Sequence, residues 1–152
     1  DHILAMRVRD GLAALAYLRT RPEINPGTIV VGGHRMGGVV ALHVAAADGN
    51  VAGVFSMNGL ASFESLAADP GYTWPMEAFL PGVLEHYDLP ELAAALRMPV
   101  LIANPLDARG MRLEAEAAAA VFQAAVEANP ACTVTPGDSA AAEAFVKRIL
   151  GG

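Results

Sequence analysis

The stretch that decides the fold reads TIVVGGHRMGG and occupies residues 28–38. Its β-branched beginning, residues 28–31, predicts a buried strand of a parallel sheet. The strand is expected to stop at the glycine pair that follows, and a helix is expected from residue 36 to about residue 47. The pattern is therefore a strand, a tight glycine-rich turn and a helix, with an arginine in the turn.

Helix and strand patterns alternate through most of the remaining chain. Apolar residues at helical spacing predict a first helix over residues 2–19. Further strands are expected at residues 51–57, 99–104 and 131–135, and further helices at 89–97, 112–129 and from Asp138 or Ser139 to the end. Such alternation predicts an α/β fold in three layers, with a parallel sheet of about four strands and flanking helices.

Local signals mark two places along this outline. Asp88 and Glu91 have the spacing of a capping box, with Pro90 in the first turn, so they indicate where the 89–97 helix begins. Residues 58–88 hold three prolines and most of the aromatic residues. A long irregular segment in a compact domain is typical of a lid or a binding loop. A packed surface excursion is the other interpretation, and both stay open.

Composition excludes several classes of protein. A net charge of −6 over 152 residues without a basic stripe argues against a nucleic-acid partner. No apolar run reaches the roughly 20 residues of a membrane helix, so we expect a soluble protein without a membrane partner and with a cytoplasmic location. The single cysteine, Cys132, excludes an internal disulfide and fits a buried strand position. His34 and His43 are nine residues apart and do not share a helix face, so neither a metal nor another cofactor is expected.

The segment Gly33-His34-Arg35-Met36-Gly37-Gly38 resembles the nucleophile elbow of the α/β-hydrolases, whose pattern is G-x-S-x-G. Gly33 and Gly37 match the positions where that tight turn leaves no room for a side chain. Residues 17–26 resemble the helix-to-strand approach of acetylxylan-esterase-like and dienelactone-hydrolase-like members. Residues 99–107 resemble the strand and loop that present the catalytic acid. The resemblance implies a single, partial domain over residues 1–152, equivalent to the C-terminal half of an α/β-hydrolase fold.

The resemblance also assigns the catalytic positions, and two of the three carry the wrong residue. Arg35 stands at the nucleophile position, and a guanidinium has only donors and cannot attack an ester. Asp107 stands at the acid position. No histidine follows the last predicted strand, and Asp138 most nearly takes the place of the catalytic imidazole. The family's activity is carboxylester hydrolysis, and this chain is expected to lack it.

Other nucleophiles are poorly supported, and the surviving polar residues have simpler interpretations. Ser56, Ser139 and Cys132 have no histidine within readable reach. Arg35 is expected either to pair with Asp107 or Asp138, or to hold a small anion together with the amides of Met36 and Gly37 at the start of a helix. For Asp107 the alternative is a cap of its own loop. In that interpretation Arg109 and Arg112 neutralise its charge.

The strand at residues 28–31 is expected to form an open edge of the sheet. The sequence has no initiator methionine and begins directly in a helix, which fits a cut-out piece or a chain whose first half lies elsewhere. On the resemblance, the upstream strands of the fold are expected to be missing. An edge with an apolar run needs a cover, and we expect the missing upstream half, another chain or a second copy to supply it. The chain is then either a subunit or fragment of an active esterase, or an assembly module that uses this edge.

Overall fold

A computed structural model describes residues 2–137 and 139–151. Its sheet has four parallel strands in the order β1-β2-β3-β4. They are β1 Val30–His34, β2 Gly53–Met57, β3 Val100–Ala103 and β4 Cys132–Thr135. The parallel α/β fold expected from the alternating pattern is therefore confirmed.

Seven helices flank the sheet within the described residues. They are α1 Ile3–Arg19, α2 Met36–Asp48, α3 Phe63–Ala68, α4 Leu89–Ala95, α5 Ala115–Val121, α6 Gln123–Ala128 and α7 Ser139–Ile149. Three short 3₁₀ turns lie at Pro26–Thr28, Met76–Ala78 and Val83–Glu85. The capping box of α4 is present as expected. The side chain of Asp88 accepts from the backbone N–H of Glu91, and the side chain of Glu91 accepts from the backbone N–H of Asp88. None of the described helices is long and apolar enough to cross a membrane.

The first strand is displaced from its expected position. Residues 26–28 form a 3₁₀ turn, and β1 continues through the glycine pair to His34. Glycine is required at these two strand positions because neighbouring atoms leave no space for a side chain. A Cβ built at Gly32 would lie 2.1 Å from the ring of Phe55 on the neighbouring strand. Reading the glycine pair as the end of the strand was therefore wrong.

The long helix expected over residues 112–129 is interrupted. It forms α5 and α6, separated by Phe122 with φ −100° and ψ 14°. Phe122 still donates from its N–H to Ala118 and accepts from the N–H of Val126, so the two segments continue one another with a bend. Phe122 is 1 % exposed and belongs to the main core. The longest described helix is α1, with 17 residues.

The helices are distributed unequally over the two faces of the sheet. The main core joins α1, α2, α4, Phe122 and α6 to one face of the central strands. On the other face α7 packs alone against β2 and β3, through Ala142 and Phe145. Leu150 follows the end of α7 and is 55 % exposed. The three layers are therefore complete over the middle of the sheet only.

The strand β1 forms one end of the sheet, as expected for the open edge. Beside it lies a groove of about 330 Å³ between α1, β1 and α2. Its lining is almost entirely apolar and includes Ala14, Leu18, Ile29, Val31 and Val40. The outward N–H and C=O groups of β1 have no strand partner among the described residues.

Residues 58–88 are less irregular than expected and are tied to the rest of the fold at several points. They contain α3 and two of the 3₁₀ turns. Phe63, Trp74, Ala78 and Val83 are buried in a second apolar cluster shared with α1 and α2. The segment is further held by the backbone of Phe79, which contacts the imidazole Nε2 of His2 at 2.9 Å. We call residues 58–88 the insertion.

Candidate functional site

Three neighbouring strands end in the same unusual backbone conformation. Arg35 follows β1, Asn58 follows β2 and Asn104 follows β3, with φ of 52°, 51° and 51°. The register places them side by side at the carboxyl end of the sheet. They are the only residues other than glycine with positive φ in the described part of the chain. Strained residues cluster at functional sites, so this row, which we call the edge row, marks the candidate site.

Arg35 occupies the whole turn between β1 and α2. Its φ of 52° and ψ of −122° cost about 1–3 kcal/mol for a residue with a side chain. The backbone on both sides holds the turn in place, since the N–H of Arg35 donates to Met57 at 2.9 Å. The carbonyl of Arg35 accepts from the N–H of Gly38 at 3.0 Å.

The glycines around this turn do not share the steric requirement equally. A Cβ built at Gly33 would lie 2.2 Å from the backbone carbonyl group of Gly37. A Cβ at Gly37 would meet nothing within 4 Å, so the expectation that Gly37 leaves no room for a side chain is wrong. The second crowded position is Gly38, where a Cβ would lie 2.3 Å from Oγ of Ser56. Crowding thus falls two positions before and three positions after Arg35.

The guanidinium of Arg35 is held against an aromatic ring. Its Cζ lies 4.8 Å from the centre of the Trp74 ring, a cation–π contact worth about 0.5–2 kcal/mol. On another side a Cβ built at Gly110 would lie 3.6 Å from Nη2 of Arg35. Arg35 forms no ion pair with Asp107 within 4.0 Å, so that expected pairing is wrong for the described residues. The alternative partner, Asp138, lies outside the described residues.

The first amides of α2 are available for a ligand in principle. The first N–H groups of any helix lack acceptors within the helix, and here they include those of Met36 and Gly37. The side chain of Arg35 makes no capping bond to them, and the first turn of α2 carries no acidic residue. The small anion expected at this position stays a prediction.

Asp107 organises the loop that approaches Arg35. Its Oδ1 accepts from the N–H groups of Arg109 at 2.9 Å and Met111 at 2.8 Å. Its carbonyl accepts from Nε1 of Trp74 at 2.8 Å, so the indole contacts both Asp107 and Arg35. The interpretation of Asp107 as a cap of its own loop is therefore confirmed.

The side chain of Arg109 forms an ion pair with a carboxylate of the insertion. Its Nε donates to Asp69 of the insertion at 2.7 Å. This bond lowers the pKa of the Asp69 carboxyl and raises the pKa of Arg109. The backbone N–H of Arg109 contacts the Asp107 carboxylate, and the charge of Asp107 also raises the pKa of Arg109, so Arg109 interacts with Asp107 as expected while its side chain pairs with Asp69.

No histidine contacts Asp107 in the described chain. His2 bonds to the insertion backbone, and His34 bonds to Asn58. His43 lies within α2, where it contacts the carbonyl of Val39 and the hydroxyl of Tyr87, each at 2.8 Å. His86 is exposed. The expected stand-in for the catalytic imidazole, Asp138, lies outside the described residues.

The alternative nucleophiles are buried or lack an imidazole. Cys132 is 4 % exposed, and burial raises the pKa of its thiol to about 11, so it stays protonated. Ser56 is 3 % exposed, packed at the back of the turn against Gly38 and Gly59. Ser139 is exposed, but no imidazole bonds to it among the described residues. Among the described residues, no imidazole bonds to any of the three.

Sequence reasoning missed the two asparagines and the role of Trp74. A signal for the asparagines was present, because Asn58 directly follows one predicted strand and Asn104 is the last residue of another, and asparagine tolerates positive φ better than most residues. Trp74 gave no comparable signal. Its contact with Arg35 joins a turn to an irregular segment 39 positions away, and no periodic pattern predicts such a contact.

Comparison with known proteins points to one family. A model of the dienelactone hydrolase family matches residues 2–80, which is 79 of the 152 residues. Among curated proteins, none matches the chain. Nine chains of solved structures match it, including an acetyl xylan esterase from Paenibacillus sp. R4 with a TM-score of 0.65 and 16 % identity. That match covers 95 % of this chain and 51 % of the esterase, so the chain spans about half the length of its solved relative.

Proposed function

The chain belongs to the dienelactone hydrolase family, and on that premise we propose that it is a member without ester-hydrolysing activity of its own. The observation that carries this proposal is Arg35 in the turn between β1 and α2. In hydrolases of the α/β class the residue of this turn is the nucleophile. A protonated guanidinium donates hydrogen bonds only and cannot form an acyl intermediate.

Two further features of the site support the proposal. The carboxylate of Asp107 accepts from backbone N–H groups of its own loop, and in a working triad it would orient an imidazole. The indole of Trp74 occupies the space between Arg35 and Asp107 and is 3 % exposed. A buried indole thus contacts both residues that stand at catalytic positions of the resembled pattern.

We expect the purified chain to hydrolyse p-nitrophenyl acetate no faster than the buffer does. A nucleophile, a base and an acid must act together, and of these the described residues retain the acid alone. The assay compares the wild type with Arg35→Ser, and exposed Arg97→Ser serves as the matched control. Turnover by the wild type that a serine-directed reagent abolishes would refute the proposal.

The ligand class proposed for the edge row is a small carboxylate. The guanidinium of Arg35 lies over the Trp74 ring with no acceptor among the described residues, and the amides of Met36 and Gly37 follow Arg35 in the first turn of α2. Arginine holds carboxylates through paired N–H groups. Calorimetry with acetate would test this, and equal heats from wild type and Arg35→Gln would count against it.

A second candidate function is that of a subunit completed by further polypeptide. The unpaired β1 edge and its apolar groove favour it, together with the match to only half of the solved esterase. The proposed cover is an upstream segment, another chain or a second copy. A covering segment that brings its own nucleophile would make the assembly an active esterase, and one that does not would make it an assembly module.

A further inference from the structure

A chain of hydrogen bonds runs across the carboxyl end of the sheet from its interior to solvent. Nδ2 of Asn104 donates to Oδ1 of Asn58, and Nδ2 of Asn58 contacts Nε2 of His34 at 2.8 Å. Asn104 is 7 % exposed, Asn58 is half-buried and His34 is exposed. The chain therefore connects a buried amide to an accessible imidazole across three strands.

The direction of these bonds fixes the state of the imidazole. An amide nitrogen only donates, so Nε2 of His34 must accept and carries no proton. Asn58 cannot turn alone, because its Oδ1 would then leave the Nδ2 of Asn104 without an acceptor. One buried atom has no partner in this arrangement, namely Oδ1 of Asn104.

A protonated imidazole is incompatible with the observed direction. Both of its nitrogens then donate, so Asn58 must turn its Oδ1 toward His34. Its Nδ2 then faces Asn104, whose Oδ1 must turn in to accept. The oxygen that has no partner in the observed arrangement gains one, and the Nδ2 of Asn104 takes its place. An amide has nearly the same shape after this half-turn, so packing does not oppose the reversal.

We propose that proton uptake by His34 reverses both asparagine amides, so that the hydrogen-bond chain at this edge has two states of opposite polarity. Asn58 begins the insertion, and Asn104 begins the loop that presents Asp107. The reversal therefore links the protonation of an exposed imidazole to the first residues of the insertion and of the Asp107 loop. It does not depend on whether the chain hydrolyses esters.

In the described structure, the charged side chains of Arg35 and of α7 interact with residues other than His34. Arg35, its neighbour in the chain, stands on Trp74. The helix α7 packs on the sheet face that carries Val30, and alternation along β1 places His34 on that face as well. On α7 Lys147 pairs with Glu143, and Arg148 lies over the ring of Phe145. No described carboxylate bonds to the imidazole.

Nuclear magnetic resonance of the ¹⁵N-labelled full chain tests the proposal. Histidine changes charge between about pH 5 and 8, so side-chain amide signals of Asn58 and Asn104 are followed over that range, together with the His34 ring. We expect the Asn104 amide, although buried, to shift with the same midpoint as His34. We expect His34→Ala to lose this shift and His86→Ala, at an exposed histidine, to keep it.

Two results would overturn the proposal. One is an Asn104 amide whose signal stays constant while His34 titrates. The other is a shift of the Asn104 amide that persists in His34→Ala. If His34→Ala fails to fold, the midpoints of Asn104 and His34 in the wild type decide, since unequal midpoints contradict the coupling.

Discussion

At the scale of the residue, position 35 sets the chemistry of the site and its neighbours set the geometry. The sequence was sufficient to place Arg35 in the turn and Asp107 on the facing loop, because a strand, a glycine-rich turn and a helix form a local pattern. It was not sufficient to predict where the guanidinium goes. Charge alone favoured a pairing with Asp107 or Asp138, whereas the side chain lies over the ring of Trp74.

The glycines of the turn give a prediction at the same scale. We expect Gly33→Ala to lower the free energy of unfolding by about 1–3 kcal/mol, because its Cβ would overlap the backbone of Gly37. Gly37→Ala is the matched control and should raise it by up to about 1 kcal/mol, since alanine favours helix and meets no atom there. Urea unfolding measures both, and a Gly33→Ala chain as stable as the wild type would contradict the geometry.

At the scale of the element, predictions succeeded where the signal was local. The capping box of α4 lies within four residues and was read correctly. The interruption at Phe122 was missed because neither glycine nor proline marks it. The glycine pair of β1 was misread as a strand end, because glycine in a strand is favoured here by packing against Phe55, which the local sequence does not reveal.

The helix α2 carries a half-buried histidine, His43, whose effect on stability depends on pH. Desolvation lowers the pKa of His43, so the folded chain keeps it neutral, whereas the unfolded chain takes up a proton below about pH 6.5. The contribution of neutral His43 to the free energy of unfolding is fully present above that pH. It decreases as the pH falls, by up to about 1.4 kcal/mol per pH unit. We expect the free energy of unfolding of His43→Gln to decrease less between pH 7.5 and pH 5.5 than that of the wild type.

The control for this pH dependence is His86→Gln, at an exposed position outside α2. Urea unfolding at both pH values should show the wild-type loss of stability in this variant. An equal loss in His43→Gln and the wild type would show that His43 does not cause it.

At the scale of the whole molecule, the sheet is incompletely covered. The edge position of β1 was expected from the resemblance to a larger fold, and the structure places β1 at one end of the sheet. On one face of the sheet α7 packs alone against β2 and β3. What covers the edge is not encoded in local pattern.

We expect the isolated chain to associate through this edge. Light scattering should give a mass that exceeds the 15.7 kDa of one chain and rises with concentration. Ala14→Lys places a charge in the groove from an exposed position of α1 and should shift the mass toward one chain. Ala16→Lys, exposed on α1 outside the groove lining, should not. A monomer at high concentration would contradict this expectation.

The absence of a working nucleophile is the central claim, and covalent labelling tests it most directly. A fluorophosphonate forms a stable bond with any hydroxyl that an imidazole and an oxyanion site activate. Incubation of the purified chain with such a reagent, followed by intact-mass spectrometry, should show the unmodified mass under conditions that fully label an active serine esterase. A single stoichiometric adduct would contradict the account, because it would reveal an activated hydroxyl in a chain that holds Arg35 in the turn.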